Sequence, residues 1–219
     1  MPGYGRSSKA AEHPVDFRVQ GELFADLLAE WELERPDVVA HDFGGAVSLR
    51  AHLLHGVAYN SLMLVDVVAI PPSGSPFFKL VQEHPEVMPE LSAYIHAAIV
   101  AAYIQGASHR GLREEELREL VAPWTDEEGQ GAFYRQIAQY DERYLEEIEA
   151  CLAKVDVPVR IVWGKDDTWI PVEVAHRLCD LIPQASVVLV NGAGHLVQYD
   201  APVALASELR AWLQSAKHV

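Results

Sequence analysis

Val38-Val39-Ala40-His41-Asp42-Phe43-Gly44-Gly45-Ala46 is a β-branched run broken by a small-x-Asp-x-small turn. The apolar half suits a short buried strand, and the glycines after it suit a sharp entry into a helix. Ala40 and Gly44 stand two residues before and two after Asp42. Small side chains at those places let the backbone fold tightly, so the middle side chain projects beyond the sheet edge. Asp42 therefore stands where a catalytic nucleophile would. A serine oxygen there suits attack on acyl carbon, whereas a carboxylate, ionised at neutral pH, can displace a leaving group from saturated carbon. Aspartate also caps helices well, so these residues alone leave two roles open: nucleophile, or N-cap of a helix beginning at Gly44.

Outward from the turn, strands and helices alternate. Phe24, Leu27, Leu28 and Trp31 recur at helical spacing with acids between them, which predicts an amphipathic helix over 17–34, stopped by Pro36. Residues 44–55 read as a second helix, ended near Gly56. Ser61-Leu62-Met63-Leu64-Val65-Asp66-Val67-Val68 is almost continuously apolar, as a parallel strand covered on both faces would be. From Pro71 a cluster of prolines, serines and glycine breaks the pattern, and only helical spacing follows until about Val155. Helices are expected there over 77–83, 89–107 and 113–120, with a last one running through Tyr134, Ile137, Tyr140 and Tyr144. Strand texture returns at 157–163 and 185–190, with helices at 171–181 and 202–215. Such alternation means a parallel sheet with right-handed crossovers. The organisation predicted is a core from 1–70 and 155–219 with a helical insertion at 71–154.

Composition narrows the function classes. A chain of 219 residues, half of them hydrophobic, can bury one good core. Its net charge of -15 argues against nucleic acid and anionic membrane surfaces as partners. No apolar run reaches the roughly 20 residues of a membrane span, and the N-terminus lacks a signal-peptide pattern. Cys151 and Cys179 are far apart and fit reduced thiols in a cytoplasmic protein. Ten histidines raise the question of a metal, but they are scattered, and the helical pair His52 and His55 has no carboxylate or cysteine at ligand spacing. Neither a metal nor another cofactor is expected.

Two further loops lie just past strand ends, where open α/β sheets place ligand-binding groups. Gly164-Lys165-Asp166-Asp167-Thr168-Trp169-Ile170-Pro171 follows one strand, and Asn191-Gly192-Ala193-Gly194-His195 follows the last. An acidic turn or a lone histidine means little singly. Together with Asp42 they give the chain order nucleophile, acid, histidine.

At these residues the chain resembles the α/β-hydrolase family, in particular the branch with an aspartate nucleophile that contains epoxide hydrolases and haloalkane or haloacetate dehalogenases. Pro2-Gly3-Tyr4-Gly5-Arg6-Ser7 resembles the family's Pro-Gly-x-Gly-x-Ser loop, and His41-Asp42-Phe43-Gly44-Gly45 its His-Asp-Trp-Gly-Gly elbow. Trp163-Gly164 through Asp167 to Pro171, and Gly192-Ala193-Gly194-His195, resemble its acid and histidine loops. The insertion at 71–154 matches the family's helical lid. The resemblance implies that Asp42 attacks saturated carbon and becomes an ester, which a water activated by His195, oriented by Asp167, then hydrolyses. The Phe43 N–H would serve the oxyanion of that second step. Spacing favours Asp167 over Asp166 as the acid, with Asp66 in reserve.

The residue directly after the nucleophile bears on the leaving group. Phe43 has no N–H donor on its side chain where haloalkane dehalogenases carry tryptophan, and the arginine of haloacetate dehalogenases is absent. Epoxide hydrolases protonate the opening ring with lid tyrosines, and Phe133-Tyr134-Arg135 resembles their Trp-Tyr-Arg. Tyr134, with His41 and Trp124, forms the candidate substrate-binding set; Tyr94, Tyr103, Tyr140 and Tyr144 offer further hydroxyls. The expected reaction is epoxide opening on a small apolar organic substrate, with halide displacement or a non-catalytic ligand-binding role as alternatives. The family sheet has eight strands, and this chain starts inside the loop after the fourth. The resemblance therefore implies a truncated sheet of the C-terminal four strands, whose exposed central edge would either pair with a second copy in a homodimer or leave the fold marginal.

Overall fold

The computed structural model describes residues 1–126 and 128–216. Its elements run α1 (Phe17–Glu30), β1 (Asp37–Asp42), α2 (Phe43–His55), β2 (Ser61–Val67), then five helices in succession. These are α3 (Pro76–Glu83), α4 (Ala93–Gln105), α5 (Glu114–Val121), α6 (Gly129–Ala138) and α7 (Arg143–Glu149). The chain then returns to β3 (Val159–Gly164), α8 (Glu173–Leu181), β4 (Ala185–Val190), α9 (Val197–Asp200) and α10 (Pro202–Ala216). The four strands form one sheet in the order β1-β2-β3-β4, parallel throughout, which is the α/β architecture expected of the alternating texture.

The sheet is covered on both sides because β2 and β3 carry apolar residues on both. Leu62, Leu64, Val159 and Ile161 pack with Phe17, Leu28, Leu49 and Leu152 on one face. Met63, Val65 and Val162 pack with Val197 and Trp212 on the other. All of β2 is buried, and each fully buried Leu or Met contributes about 1.5–3 kcal/mol relative to exposure. Gly45 lets α2 lie against β2: a Cβ there would overlap the Val67 side chain. At the other side, β1 pairs with β2 alone among the described residues, and Val39 on it is half exposed.

Local signals explain most boundaries and three departures. The Asp16 carboxylate accepts the Val19 N–H to cap α1, Ser75 does the same for α3 through Phe78, and Gly56 ends α2 in the left-handed region. The first helix stops at Glu30, four residues short of expectation, because Glu32 takes φ +56 and breaks the spiral before Pro36 is reached. The second starts at Phe43 instead of Gly44. The single helix expected through Tyr134 and Tyr144 is two. Asp141 breaks it by accepting the Arg143 N–H two residues on, in a turn that competes with helical bonding.

The five helices between β2 and β3 have a small core of their own, built from Val81, Met88, Val100, Phe133, Tyr134 and Ile137. They pass over the C-terminal ends of the strands: Leu196, just beyond β4, donates its N–H to the Ala107 carbonyl after α4. Among the described residues no helix is long and apolar enough to cross a membrane.

Candidate active site

Asp42 ends β1 with φ +51 and ψ -127, a backbone conformation rare for any side-chain-bearing residue. Its carboxylate makes no capping bond to α2. The cap role left open by the sequence is thus absent from the geometry, and the strained turn serves instead to aim the side chain. It points at the histidine loop, where Asp42 Oδ1 lies 3.5 Å from His195 Nε2. The other ring nitrogen, Nδ1, donates to Asp167 Oδ2 at 3.0 Å. His195 and Asp167 side chains are buried, whereas the Asp42 side chain keeps 35% of its surface open. A reagent can reach the carboxylate without reaching the pair behind it.

The neighbouring acids have separate tasks. Asp167 Oδ1 accepts the N–H groups of Trp169 and Ile170, which fixes the carboxylate that orients His195. Asp166 Oδ2 accepts the Gly192 N–H while its own N–H donates to the Ala193 carbonyl, so it clamps the acid loop to the histidine loop. Gly164 is needed at the same junction, since a Cβ there would overlap the Gly194 carbonyl. Asp200 also supports the histidine loop: its carboxylate accepts Gly194 N–H at 2.8 Å, His109 N–H at 2.8 Å and the Ser108 hydroxyl at 2.5 Å. Nothing in the spacing of Asp200 marked it beforehand.

The electrostatics follow from this packing. Burial opposes charge on His195, but the hydrogen bonds and charges of Asp167 and Asp42 outweigh it and raise the ring to about 10. Burial likewise works to raise Asp42, yet His195, then His41 and the Phe43 N–H, hold it below its ordinary value. His41 is pushed down by burial and by the charge of His195. Its neutral ring donates Nε2–H to the His195 carbonyl at 2.9 Å, a support for the histidine loop.

The tyrosines require a correction. Tyr134 is buried in the core of the helical segment. His96 donates Nε2–H to the Trp124 carbonyl at 2.8 Å, so its Nδ1 is an acceptor and takes the Tyr134 O–H at 3.0 Å. The Tyr134 proton is thereby committed to His96. Tyr4 and Tyr103 are instead the hydroxyls that feel the Asp42 charge, which adds to burial in pushing both above their ordinary value. Tyr94, by contrast, is exposed.

Tyr4 and Tyr103 belong to an arc of rings around the site. Tyr4 meets Trp124 edge-on at 5.7 Å, Trp124 meets Phe133 at 5.5 Å, and Phe133 meets Tyr103 at 6.1 Å. Tyr103 stacks on Trp169 at 4.3 Å, and Trp169 stacks on His195 at 4.9 Å. Trp124 takes part in this chain of ring contacts, and so does Trp169, which sequence reading passed over. Its place two residues after Asp167 was the available signal. Beyond Trp169 lies a cavity of about 680 Å³ lined by Val67, Phe78, Tyr140, Ile170 and Val174; none of Asp42, Asp167 or His195 faces it. Among the described residues no group of three or more histidine, cysteine, aspartate or glutamate side chains is placed to hold a metal ion.

Residues 1–208 match the sequence profile described as the Alpha/beta hydrolase family. A crystal structure of an alpha/beta hydrolase fold protein from Burkholderia ambifaria is 49% identical, with a TM-score of 0.91 over 94% of this chain and 76% of that one. An uncharacterized hydrolase of Bacillus subtilis (strain 168), YugF, is 22% identical over 98% of this chain and 78% of its own. The haloalkane dehalogenase DbeA from Bradyrhizobium elkani shares the fold at 20% identity, with a TM-score of 0.80 over 99% of this chain and 79% of its own.

Proposed function

This chain belongs to the alpha/beta hydrolase family, and from that premise we propose that it is a hydrolase whose nucleophile is Asp42, acting through an alkyl-enzyme ester on a small apolar epoxide. The observation that carries the reading is the Asp42 carboxylate itself: strained at φ +51, free of any cap bond, partly open, and 3.5 Å from a histidine that Asp167 orients. A carboxylate in that position is already charged and suited to saturated carbon.

In the first step an Asp42 oxygen bonds to an epoxide carbon and the carbon–oxygen bond of the ring breaks. The ring oxygen takes a proton from Tyr103 or Tyr4, the hydroxyls that feel the Asp42 charge, and not from Tyr134. Esterification cancels the Asp42 charge, one of the two that hold the proton on His195. The tyrosinate left by the first step takes that proton back from His195, and the ring becomes a neutral base. It removes a proton from water, the resulting hydroxide adds to the Asp42 carbonyl carbon, and the Phe43 N–H stabilises the oxyanion. Collapse breaks the bond between the Asp42 carbonyl carbon and the alcohol oxygen, which takes the proton that the added hydroxide left on Asp42, so ionised Asp42, protonated His195 and the neutral tyrosine are all restored. The net change is epoxide plus water to vicinal diol. The helices between β2 and β3 act as the lid, and the aromatic arc supports an apolar substrate.

Covalent trapping tests this. His195→Gln removes the base of the second step but not the nucleophile, so incubation with an epoxide panel should leave a stable adduct of full substrate mass on the Asp42 peptide. A haloalkane adduct, lighter by the lost halide, would move the assignment to halide displacement. No adduct from either panel would refute Asp42 as nucleophile.

A further inference from the structure

Different groups hold His195 at its edges and on its face. At the edges, Nδ1 donates to Asp167 Oδ2 at 3.0 Å and Nε2 faces Asp42 Oδ1 at 3.5 Å. Both nitrogens are thereby engaged with carboxylates. Over the face, the Trp169 indole stacks on the imidazole with centroids 4.9 Å apart and 28° between the planes. The His41 ring also comes to 4.8 Å, but tilted at 43°. Of the two, the indole is the larger and the nearer to parallel.

Asp167 fixes the indole as well as the imidazole. Its Oδ1 accepts the Trp169 N–H at 2.7 Å and the Ile170 N–H at 3.0 Å, while Oδ2 holds His195. One carboxylate therefore sets an edge of the imidazole and anchors the residue that covers its face. Thr168 donates its hydroxyl to the Gly106 carbonyl at the end of α4 at 3.2 Å, and Tyr103 of α4 stacks on the indole at 4.3 Å. Trp169 is thus held from the acid turn and from the lid together.

The face of an aromatic ring carries negative charge density, most strongly in tryptophan, so a cation within about 6 Å of it is stabilised. Burial strengthens the attraction because water no longer competes for the cation. His195 is buried between two carboxylates that favour its charged form. We infer that Trp169 is a positioning residue: its indole face stabilises the imidazolium form of His195 and keeps the ring in the plane that aims Nδ1 at Asp167. The inference rests on the reading of His195 as the base of ester hydrolysis. Taking a proton from water turns the neutral ring into a cation, and the Asp42 charge is absent at that step. The indole then makes His195 a stronger base. The other titratable groups near the ring are Asp42 and His41 from β1, Asp66 from β2 and Asp167 after β3, with Tyr103 against the indole.

Two substitutions separate this from simple packing. Trp169→Leu removes the aromatic face and keeps an apolar side chain, whereas Trp169→Phe keeps a smaller face. In Trp169→Leu the proton affinity of His195 should fall about tenfold, which nitrogen NMR of the ring reads as a titration about one pH unit lower. Trp169→Phe should recover about half of that shift, and His195→Gln identifies the signal. Single-turnover hydrolysis of the Asp42 ester should follow: its acid limb, set by protonation of the base, moves to lower pH in Trp169→Leu by about one unit. A residue that merely packs would lower the rate and leave the limb in place. That result overturns the inference, as do an unmoved ring titration or equal shifts in the two variants. Wild type supplies a further readout, because a protonated imidazole quenches an indole stacked on it. Trp169 emission, taken as the difference between wild type and Trp169→Phe, should be weak at pH 7 and rise as His195 titrates. Emission indifferent to that titration overturns the inference even if Trp169→Leu does not fold. Failure of Asp42 to form an ester would instead refute the nucleophile and leave the ring titration and the emission to decide Trp169.

Discussion

Replacing His195 with glutamine should flatten the stability of this protein between pH 8 and 10, where wild type loses it steadily. The ring is raised from 6.5 to about 10 by Asp167 and Asp42, against burial. A group whose folded value is raised stabilises fully below its unfolded value and loses that contribution as pH climbs through the folded one. A tenfold change in proton affinity corresponds to about 1.4 kcal/mol, so the pair of carboxylates supplies about 5 kcal/mol through His195 at pH 6 and below. About 2–3 kcal/mol of that should disappear between pH 8 and 10. The window isolates this group. Asp66, at about 8, has its effect on stability mainly below it; the lowered His41 acts near and below 6.5; the tyrosines pushed up by burial act from pH 10 upward. Equilibrium urea unfolding at pH 8, 9 and 10 on wild type and His195→Gln reads the difference directly. An equal loss in both proteins would refute the two-carboxylate support of His195 and with it the ester-dependent release of the base.

Tyr103→Phe should slow adduct formation from epoxides by about 10²-fold or more, while Tyr134→Phe should leave that step near wild type and cost about 1 kcal/mol of stability for the lost bond to His96; stopped-flow alkylation and thermal unfolding separate the two. Gly45→Ala should destabilise by about 1–3 kcal/mol because its methyl group overlaps Val67, and Val67→Ala in the same chain should recover part of that in urea unfolding. Asp200→Ala leaves the N–H groups of Gly194 and His109 without their acceptor, so it should lower activity more than an exposed aspartate substitution such as Asp156→Ala, measured as kcat on a common substrate.

The sequence announced those features that depend on repeating patterns. Alternating apolar runs made the parallel sheet legible, because strands buried on both faces need continuous hydrophobic runs such as Ser61–Val67. Small residues around Asp42 and Gly164 marked the turns, since tight approach excludes side chains whatever the rest of the fold does. The positions of Asp42, Asp167 and His195 at strand ends followed from the same regularity. What escaped was set by side-chain direction across long separations. Tyr134 and Tyr103 both sit on helices of the insertion, and only the packing of α4 against α6 decides that His96 takes the proton of one while the other feels the Asp42 charge. Tyr4 and Trp124 meet from 120 positions apart along the chain, which no local period encodes.

Asp66 shows the limit most clearly. In the sequence it is one charged residue interrupting an apolar strand, and the strand-end position alone made it a reserve acid. The decisive fact is a one-residue slip between β1 and β2, which alternation cannot reveal because the bulge inverts the face that Asp66 should occupy. Regular pairing would send its carboxylate to the opposite side of the sheet from where the bulge sends it. The strained φ at Asp42 and at Asp66 falls at the ends of adjacent strands, +51 and +43. Backbone strain at two neighbouring acids has a cost that the rest of the fold must offset, and the buried faces of β2 and β3 are what hold both turns in place. The same packing that made the strands readable is therefore what fixes the two conformations that were not.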